Sequence, residues 1–186
     1  FDSITIFAQI SRLVLPVGHT KKVNFALFSH DGMRLVTVSD DKTAKIWDVA
    51  SGSIIADLKG YKDNITSAQF SPAGKLIVTS SDDSTAKIWN AVSGELLFDI
   101  KGHTDYVTSA RFSPDGSRIV TSSFDSTARI WNVATGKLLL RLSGHKDAII
   151  TAQFSPVTDD DPSGGSKILT ASIDKTARIW DSKTGE

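Results

Sequence analysis

The chain has 186 residues, with 21 basic and 21 acidic side chains, no formal net charge and no cysteine. Hydrophobic residues make up 40% and charged residues 23%, which is one ordinary domain, or part of a larger one, with enough apolar sequence for a core and too little charge bias for disorder. The even charge balance argues against a nucleic-acid partner, and the missing thiols remove disulfides, cysteine–zinc sites and thiol catalysis together.

From the N-terminus, Phe1–Ser11 has no counterpart elsewhere in the chain, though Ile4–Ala8 reads as a strand. The chain opens on Phe1, so the expected natural start lies upstream and a leader or anchor stays open. No run of about 18 apolar residues occurs, so no membrane span is expected. The lack of cysteine fits a reducing compartment, and a cytoplasmic location is the expectation.

After residue 17 the sequence repeats. Trp47, Trp89, Trp131 and Trp180 are separated by 42, 42 and 49 residues. Gly-His or Gly-Tyr pairs keep the same period at Gly18-His19, Gly60-Tyr61, Gly102-His103 and Gly144-His145. Thr-Ala-Lys/Arg-Ile-Trp ends at every tryptophan, and Asp41, Asp83, Asp125 and Asp174 each stand six residues before one. A period near 42 suits a four-stranded blade rather than a βαβ unit.

The third repeat shows the local pattern. Val107–Phe112 is a strand, and the Ser-Pro-Asp-Gly run ending at Gly116 is a turn, because proline presets φ and glycine accepts a positive one. Arg118–Ser123, Thr127–Val133 and Lys137–Leu142 follow as strands with tight connections. No segment shows a sustained helical period. The long last interval is accounted for by Val157–Gly165, which carries Asp159, Asp160 and Asp161. Consecutive carboxylates diverge and lack the spaced ligands of a calcium loop, so a solvated acidic loop is the reading. The sequence stops at Glu186, before a fourth strand of its last repeat, while Leu13–Val17 stands where a fourth strand would precede Gly18-His19. The two ends are therefore expected to supply complementary parts of one blade.

This pattern resembles the WD-repeat (WD40) β-propeller family over about residues 12–186. The resemblance implies an all-β fold of four-stranded antiparallel blades around a channel, and a binding platform without catalysis. The repeats fall at about 18–59, 60–101, 102–143 and 144–186, with 1–17 giving strands of a preceding or closing blade. Rings of this family most often have seven blades. Four repeats point first to part of a longer propeller, with closure by two copies or a four-bladed ring as alternatives. The resemblance also implies a structural hydrogen-bond network: His19, Thr37, Asp41 and Trp47; His103, Thr121, Asp125 and Trp131; His145, Thr170, Asp174 and Trp180. Ser39, Ser123 and Ser172 compete for the hydroxyl role. The second repeat keeps Thr79, Asp83 and Trp89 but has Tyr61 in place of histidine, so a softer blade is expected there.

The Ser/His/Asp residues recur at one period, whereas a catalytic site is made once, so no catalytic residue is assigned. No phosphate-binding glycine loop occurs, and neither cofactor nor metal is expected. Lys45, Lys87, Arg129 and Arg178 are read as a spaced, solvent-facing row.

Positions fixed by the fold should look alike in every repeat, so those that differ are candidates for function. The residue before each aspartate varies as Asp40, Asp82, Phe124 and Ile173, and the resemblance puts it at the channel mouth. The strand after Gly-His adds Lys22 and Asn24, Asn64 and Thr66, Tyr106 and Thr108, and Ala148 and Ile150, each pair on one side of a strand. The expected ring is half polar and half apolar-aromatic. Phe124 and Tyr106 are its anchors, and Asp40 and Asp82 are acceptors for a basic group of a protein or peptide partner. The alternatives are a sensor region of a larger NTPase or kinase, an enzyme with its site in the channel, and a structural spacer. Self-association to close the ring is a further expectation.

Overall fold

The computed structural model describes residues 18–186, so the strands read at Ile4–Ala8 and Leu13–Val17 lie outside the described residues. Every described element is a strand. The order is β1 (Val23–Phe28), β2 (Arg34–Ser39), β3 (Ala44–Asp48), β4 (Ile54–Leu58), β5 (Ile65–Phe70), β6 (Leu76–Ser81), β7 (Thr85–Asn90) and β8 (Leu96–Lys101). It continues with β9 (Val107–Phe112), β10 (Arg118–Ser123), β11 (Thr127–Asn132), β12 (Leu138–Ser143), β13 (Ile149–Phe154), β14 (Lys167–Ser172) and β15 (Ala177–Asp181). Among the described residues no helix is long and apolar enough to cross a membrane.

The strands form four antiparallel sheets in sequence order, three of four strands and a last one of three. The first strands of successive sheets pack side by side, β1 on β5, β5 on β9 and β9 on β13, while β13 is not packed on β1. Over the described residues the architecture is therefore an arc of propeller blades that is not closed.

One packing rule builds the arc. Each blade offers a leading face to the next blade's trailing face. Val36, Ala44, Ile46 and Leu58 of the first blade meet Ala68, Phe70, Ile77 and Trp89 of the second. Val78, Ala86, Ile88 and Ile100 meet Ala110, Phe112, Ile119 and Trp131 in the same way. Val120, Ala128, Ile130 and Leu142 meet Ala152, Phe154, Ile168 and Trp180. Strand alternation selects these residues, since positions two apart share a face. Between sheets the contact is aliphatic on aromatic, and burial of this kind contributes about 1.5–3 kcal/mol for each large side chain.

Among the described residues the arc leaves a leading and a trailing face without a blade. Phe28 occupies the trailing position of Phe70, yet it is 59% exposed where Phe70 is 1% exposed. Ile179 occupies the leading position of Ile130, and is 71% exposed against 1%. Leu169, in the register of Val120, is exposed too.

In the row before Ile-Trp the first three side chains do not face solvent, while Arg178 is half-buried. Lys45, Lys87 and Arg129 are buried. In the first and third blades the glycine of the Gly-His pair is the reason, whereas a Cβ on Gly60 in the second blade would meet nothing within 4 Å. A Cβ on Gly18 would lie 2.6 Å from the Trp47 ring and 3.1 Å from Lys45 Cδ, so only glycine lets the loop close over both side chains. Lys45 then pairs with its cross-strand neighbour Asp57 at 2.9 Å, and Lys87 with Asp99 at 2.6 Å. In the third blade the neighbour is Arg141, so Arg129 turns towards Asp125 at 3.6 Å and its buried Nε has no partner.

The turn after each aspartate holds a non-glycine residue in the left-handed region: Lys42, Ser84, Ser126 and Lys175, with φ between 63° and 70°. Such a residue costs about 1–2 kcal/mol. The aspartate offsets this, because its Oδ1 accepts from both the N–H and the hydroxyl of the following threonine, at 3.0 and 2.6 Å for Asp41 and Thr43.

Candidate functional site

A hydrogen-bonded chain crosses each histidine-bearing blade. Trp131 Nε1–H donates to Thr121 Oγ1 at 2.9 Å. The Thr121 hydroxyl lies 2.7 Å from His103 Nε2, and His103 Nδ1 lies 2.8 Å from Asp125 Oδ2. A single assignment satisfies every atom: Nδ1–H donates to the carboxylate, and Nε2 accepts from the threonine hydroxyl. His19, Thr37, Asp41 and Trp47 repeat the geometry at 2.7–2.9 Å. His145, Thr170, Asp174 and Trp180 do so at 2.8–2.9 Å. The threonine carries the chain, while Ser39, Ser123 and Ser172 accept from the backbone N–H of the aspartate two residues on.

Burial alone would raise the Asp125 carboxyl, but bonds from His103, Thr127 and the Thr104 N–H hold it far below the usual range. Asp41 is lowered in the same way, burial being outweighed by Thr43, Thr20 N–H and His19. Burial pushes the His103 imidazole down, against the opposing pull of Asp125. Each histidine of the three chains is fixed on both nitrogens within its own blade. None faces a nucleophile across a cavity.

In the second blade Tyr61 is buried, and its hydroxyl meets Thr79 and accepts from Trp89 Nε1–H at 3.0 Å. Burial raises the phenol well above its ordinary range. Tyr61 thus bridges tryptophan and threonine but stops short of the carboxylate. Asp83 keeps the Lys62 N–H at 2.9 Å and the two bonds from Thr85.

The variable positions come together in pairs at one end of the inner strands. The N–H before each aspartate donates to the carbonyl before the inner strand: Asp40 to Lys22 at 3.0 Å, and Asp82 to Asn64, Phe124 to Tyr106 and Ile173 to Ala148, each at 2.9 Å. The blades therefore present Lys22/Asp40, Asn64/Asp82, Tyr106/Phe124 and Ala148/Ile173 along one rim. The Tyr106 and Phe124 rings are tilted 43° with centroids 5.7 Å apart, and both are exposed. Ile173 is exposed beside them and Ala148 is buried. Asn64 Nδ2 donates to Asp82 at 3.3 Å. Burial raises the Asp82 carboxyl, and Asp63, Asp40 and Asp83 add to the rise.

The second member of each strand pair is engaged between blades. Asn24 Nδ2 donates to Asp40 at 2.6 Å and to the Ile65 carbonyl at 3.2 Å. Thr66 Oγ donates to the Val107 carbonyl at 2.8 Å, and Thr108 Oγ to the Ile149 carbonyl at 2.7 Å. These side chains tie each inner strand to the next. Ile150 holds the same register on the last blade, where it has nothing to donate and is exposed.

Sequence reasoning missed two things at the opposite end of the inner strands. A cavity of about 630 Å³ opens there between the ends of β5, β9 and β13. Arg111 points into it over the Phe25 ring at 5.8 Å. The signal was present, since Leu27, Gln69, Arg111 and Gln153 share one register and only one of them is charged. In the long insertion, Asp161 folds back to accept from the Ser166 N–H at 3.0 Å, and Asp159 and Asp160 stay exposed.

Comparison with known proteins agrees with this geometry. The family model for the WD domain, G-beta repeat, matches residues 11–48, 52–90, 94–132 and 136–181. The chain is 46% identical over 48 residues to the U3 small nucleolar RNA-associated protein 15 homolog of Xenopus laevis, covering 26% of this chain and 9% of that protein. It is 56% identical over 36 residues to the vegetative incompatibility protein HET-E-1 of Podospora anserina, covering 19% and 3%. It is 38% identical over 56 residues to WD repeat-containing protein 86 of Homo sapiens, covering 30% and 15%. The chain thus spans a small part of the curated relatives it matches. Repeats of this kind generally serve as protein-interaction scaffolds. With four matched repeats, blades in sequence order and the Trp–Thr–His–Asp chain in three of them, this chain belongs to the WD-repeat family.

Proposed function

We propose that the chain is a non-catalytic scaffold that holds a protein or peptide on the rim formed by Lys22/Asp40, Asn64/Asp82, Tyr106/Phe124 and Ala148/Ile173. The observation that carries this reading is the exposed Tyr106–Phe124 pair. Two aromatic rings in contact at the surface offer a rigid apolar anchor, the kind of group that dominates binding energy. Asp40 and Asp82 stand on neighbouring blades, and a lysine or arginine between them would relieve their mutual repulsion. The partner segment therefore carries an apolar or aromatic residue a short distance from a basic one. Peptides selected from a random display library on the protein test this. Selected sequences should combine those two features, and Phe124→Ala should weaken them at least tenfold. Unchanged affinity would remove Phe124 from the site.

The bare end faces favour a second reading, in which two copies pack head to tail. The leading face at Leu169 and Ile179 has the composition that Phe70, Phe112 and Phe154 dock on elsewhere, and Phe28 is the matching group on the trailing face. One such contact at each end closes a two-fold ring. Light scattering after size-exclusion chromatography should give about twice 20.0 kDa, and a monomer would overturn this reading.

A further inference from the structure

The inner strands of the arc have chemically different ends. The Tyr106 rim carries Asp40 and Asp82. Arg111 lies five residues further along β9, about 17 Å away at the ordinary rise of a strand. The cavity around it has no carboxylate in its lining among the described residues.

Four observations converge on Arg111. It is singular, because the same register holds Leu27, Gln69 and Gln153 in the other blades, so the fold does not require a cation there. It forms no ion pair among the described residues, and burial lowers its pKa. It is held in place, because Phe25 reaches across from the first blade to lie under the guanidinium. Finally, it stands in an open cavity of about 630 Å³, within the range of ligand sites. A half-buried guanidinium without an acidic partner carries an unmet desolvation cost, and a bound anion would offset it.

We propose that this cavity binds a carboxylate of an extended acidic segment of a partner protein, with the Arg111 guanidinium as its bidentate donor. The charge count favours a carboxylate over a phosphate group. Among the described residues the lining holds one guanidinium, the neutral amides of Gln69 and Gln153, the His30 imidazole and no lysine. The one permanent cation matches a single negative charge better than a dianion. The walls favour a peptide. Phe-Ser-Pro turns end β5, β9 and β13, so Pro72, Pro114 and Pro156 border the cavity as rigid apolar surfaces that an extended chain can lie along.

The test is a titration of the protein with the blocked peptide acetyl-Ala-Glu-Pro-Glu-Ala-amide, followed by the arginine side-chain N–H signals in an ¹⁵N-resolved spectrum. Arg111 Nε–H should shift saturably. The peptide with glutamine in place of glutamate, and the Arg111→Gln variant, should each bind at least tenfold more weakly. Arg111→Lys should fall between, since it keeps the charge without the fork. Glutamine is the natural residue at this register in two blades, so Arg111→Gln should keep the melting temperature. Phe124→Ala should leave the titration unchanged, which separates this site from the rim at the other end. Equal affinity of the glutamine peptide, or of Arg111→Gln, would overturn the proposal. Inorganic phosphate binding as tightly as the glutamate peptide would overturn the peptide carboxylate as its ligand.

Discussion

The Trp–Thr–His–Asp chain gives a sharp comparison between two aspartates that differ in one bond. Asp41 accepts from Thr20 N–H at 2.9 Å, Thr43 N–H at 3.0 Å, Thr43 Oγ–H at 2.6 Å and His19 Nδ1–H at 2.9 Å. Asp83 accepts from Lys62 N–H, Thr85 N–H and Thr85 Oγ–H at 2.9, 3.0 and 2.6 Å, with no imidazole. The surroundings match as well, since Lys45–Asp57–Lys59 in one blade corresponds to Lys87–Asp99–Lys101 in the other. Asp41→Ala and Asp83→Ala therefore lose the same three bonds, but only the first takes a charged acceptor from a buried imidazole N–H, leaving it the neutral Thr43 Oγ at 3.2 Å. A hydrogen bond to a charged group contributes about 1.5–3 kcal/mol and a neutral one about 0.5–1.5 kcal/mol, so Asp41→Ala should destabilise by about 1–2 kcal/mol more than Asp83→Ala. Urea unfolding followed by tryptophan fluorescence reads the difference as a midpoint gap on the order of 0.5–1 M. In a His19→Tyr background the gap should close, because the first blade then copies the second. Equal costs for the two single variants, or a larger one for Asp83→Ala, would refute the argument that the imidazole–carboxylate bond is what the histidine contributes.

Other outcomes follow from the same coordinates. Gly94 has φ +72° and a Cβ there would lie 2.5 Å from Ala56 Cβ across the blade interface, whereas Gly32 has φ +70° and open space. Gly32→Ala should cost about 1 kcal/mol from backbone strain, and Gly94→Ala about 2–4 kcal/mol, measured by urea unfolding. Acidification should destabilise the protein in two steps. The lowered His103 contributes stability above its unfolded value near 6.5, lost as pH falls through the folded value. The lowered Asp41, Asp125 and Asp174 contribute above about 3.9 and lose it further down. His103→Tyr should flatten the first step in urea midpoints taken between pH 7.5 and 5.5. Phe28→Asp should convert a head-to-tail dimer to monomer in light scattering without lowering the melting temperature of the monomer, because Phe28 joins no core cluster among the described residues.

The blades were legible because each is specified several times over. Strands β9 and β10 match the sequence reading at both ends, and β11 and β12 differ from it by one residue. The turn glycines, the alternating Thr-Ala-Lys/Arg-Ile-Trp and the period of the aspartates all demand one register. What the sequence hid depends on atoms from distant segments. Lys45 looked solvent-facing because alternation says which side of a strand it takes, but not that Gly18 closes over that side. Thr66 and Thr108 looked like free rim residues because their acceptors, Val107 and Ile149, lie 41 residues away on the next blade. The left-handed residues gave no signal at all, since lysine and serine there betray nothing until the aspartate that compensates them is seen.

Repetition itself sorts these residues. A side chain that recurs in every blade is answered within its own blade or by the blade beside it, as Trp131 is by Thr121 and Phe112 by Ile88. A side chain that breaks the repeat has no such answer. Tyr61 breaks it, but Thr79 and Trp89 bond to it, so the change is absorbed internally. Arg141 breaks it by standing where Asp57 and Asp99 stand in earlier blades, and Arg129 shifts to Asp125 in consequence. Phe124 and Arg111 break it differently. Apart from Tyr106 and Phe25, which themselves depart from the repeat, nothing in the neighbouring blades has changed to meet them. Phe124, in the turn after β10, sits beside the start of β9 and Arg111 stands near its end, one apolar and exposed, one cationic without an acid beside it among the described residues. Groups left unmatched by an otherwise self-consistent scaffold are where an external partner adds the most binding free energy, since a partner recovers a cost the fold has left in place.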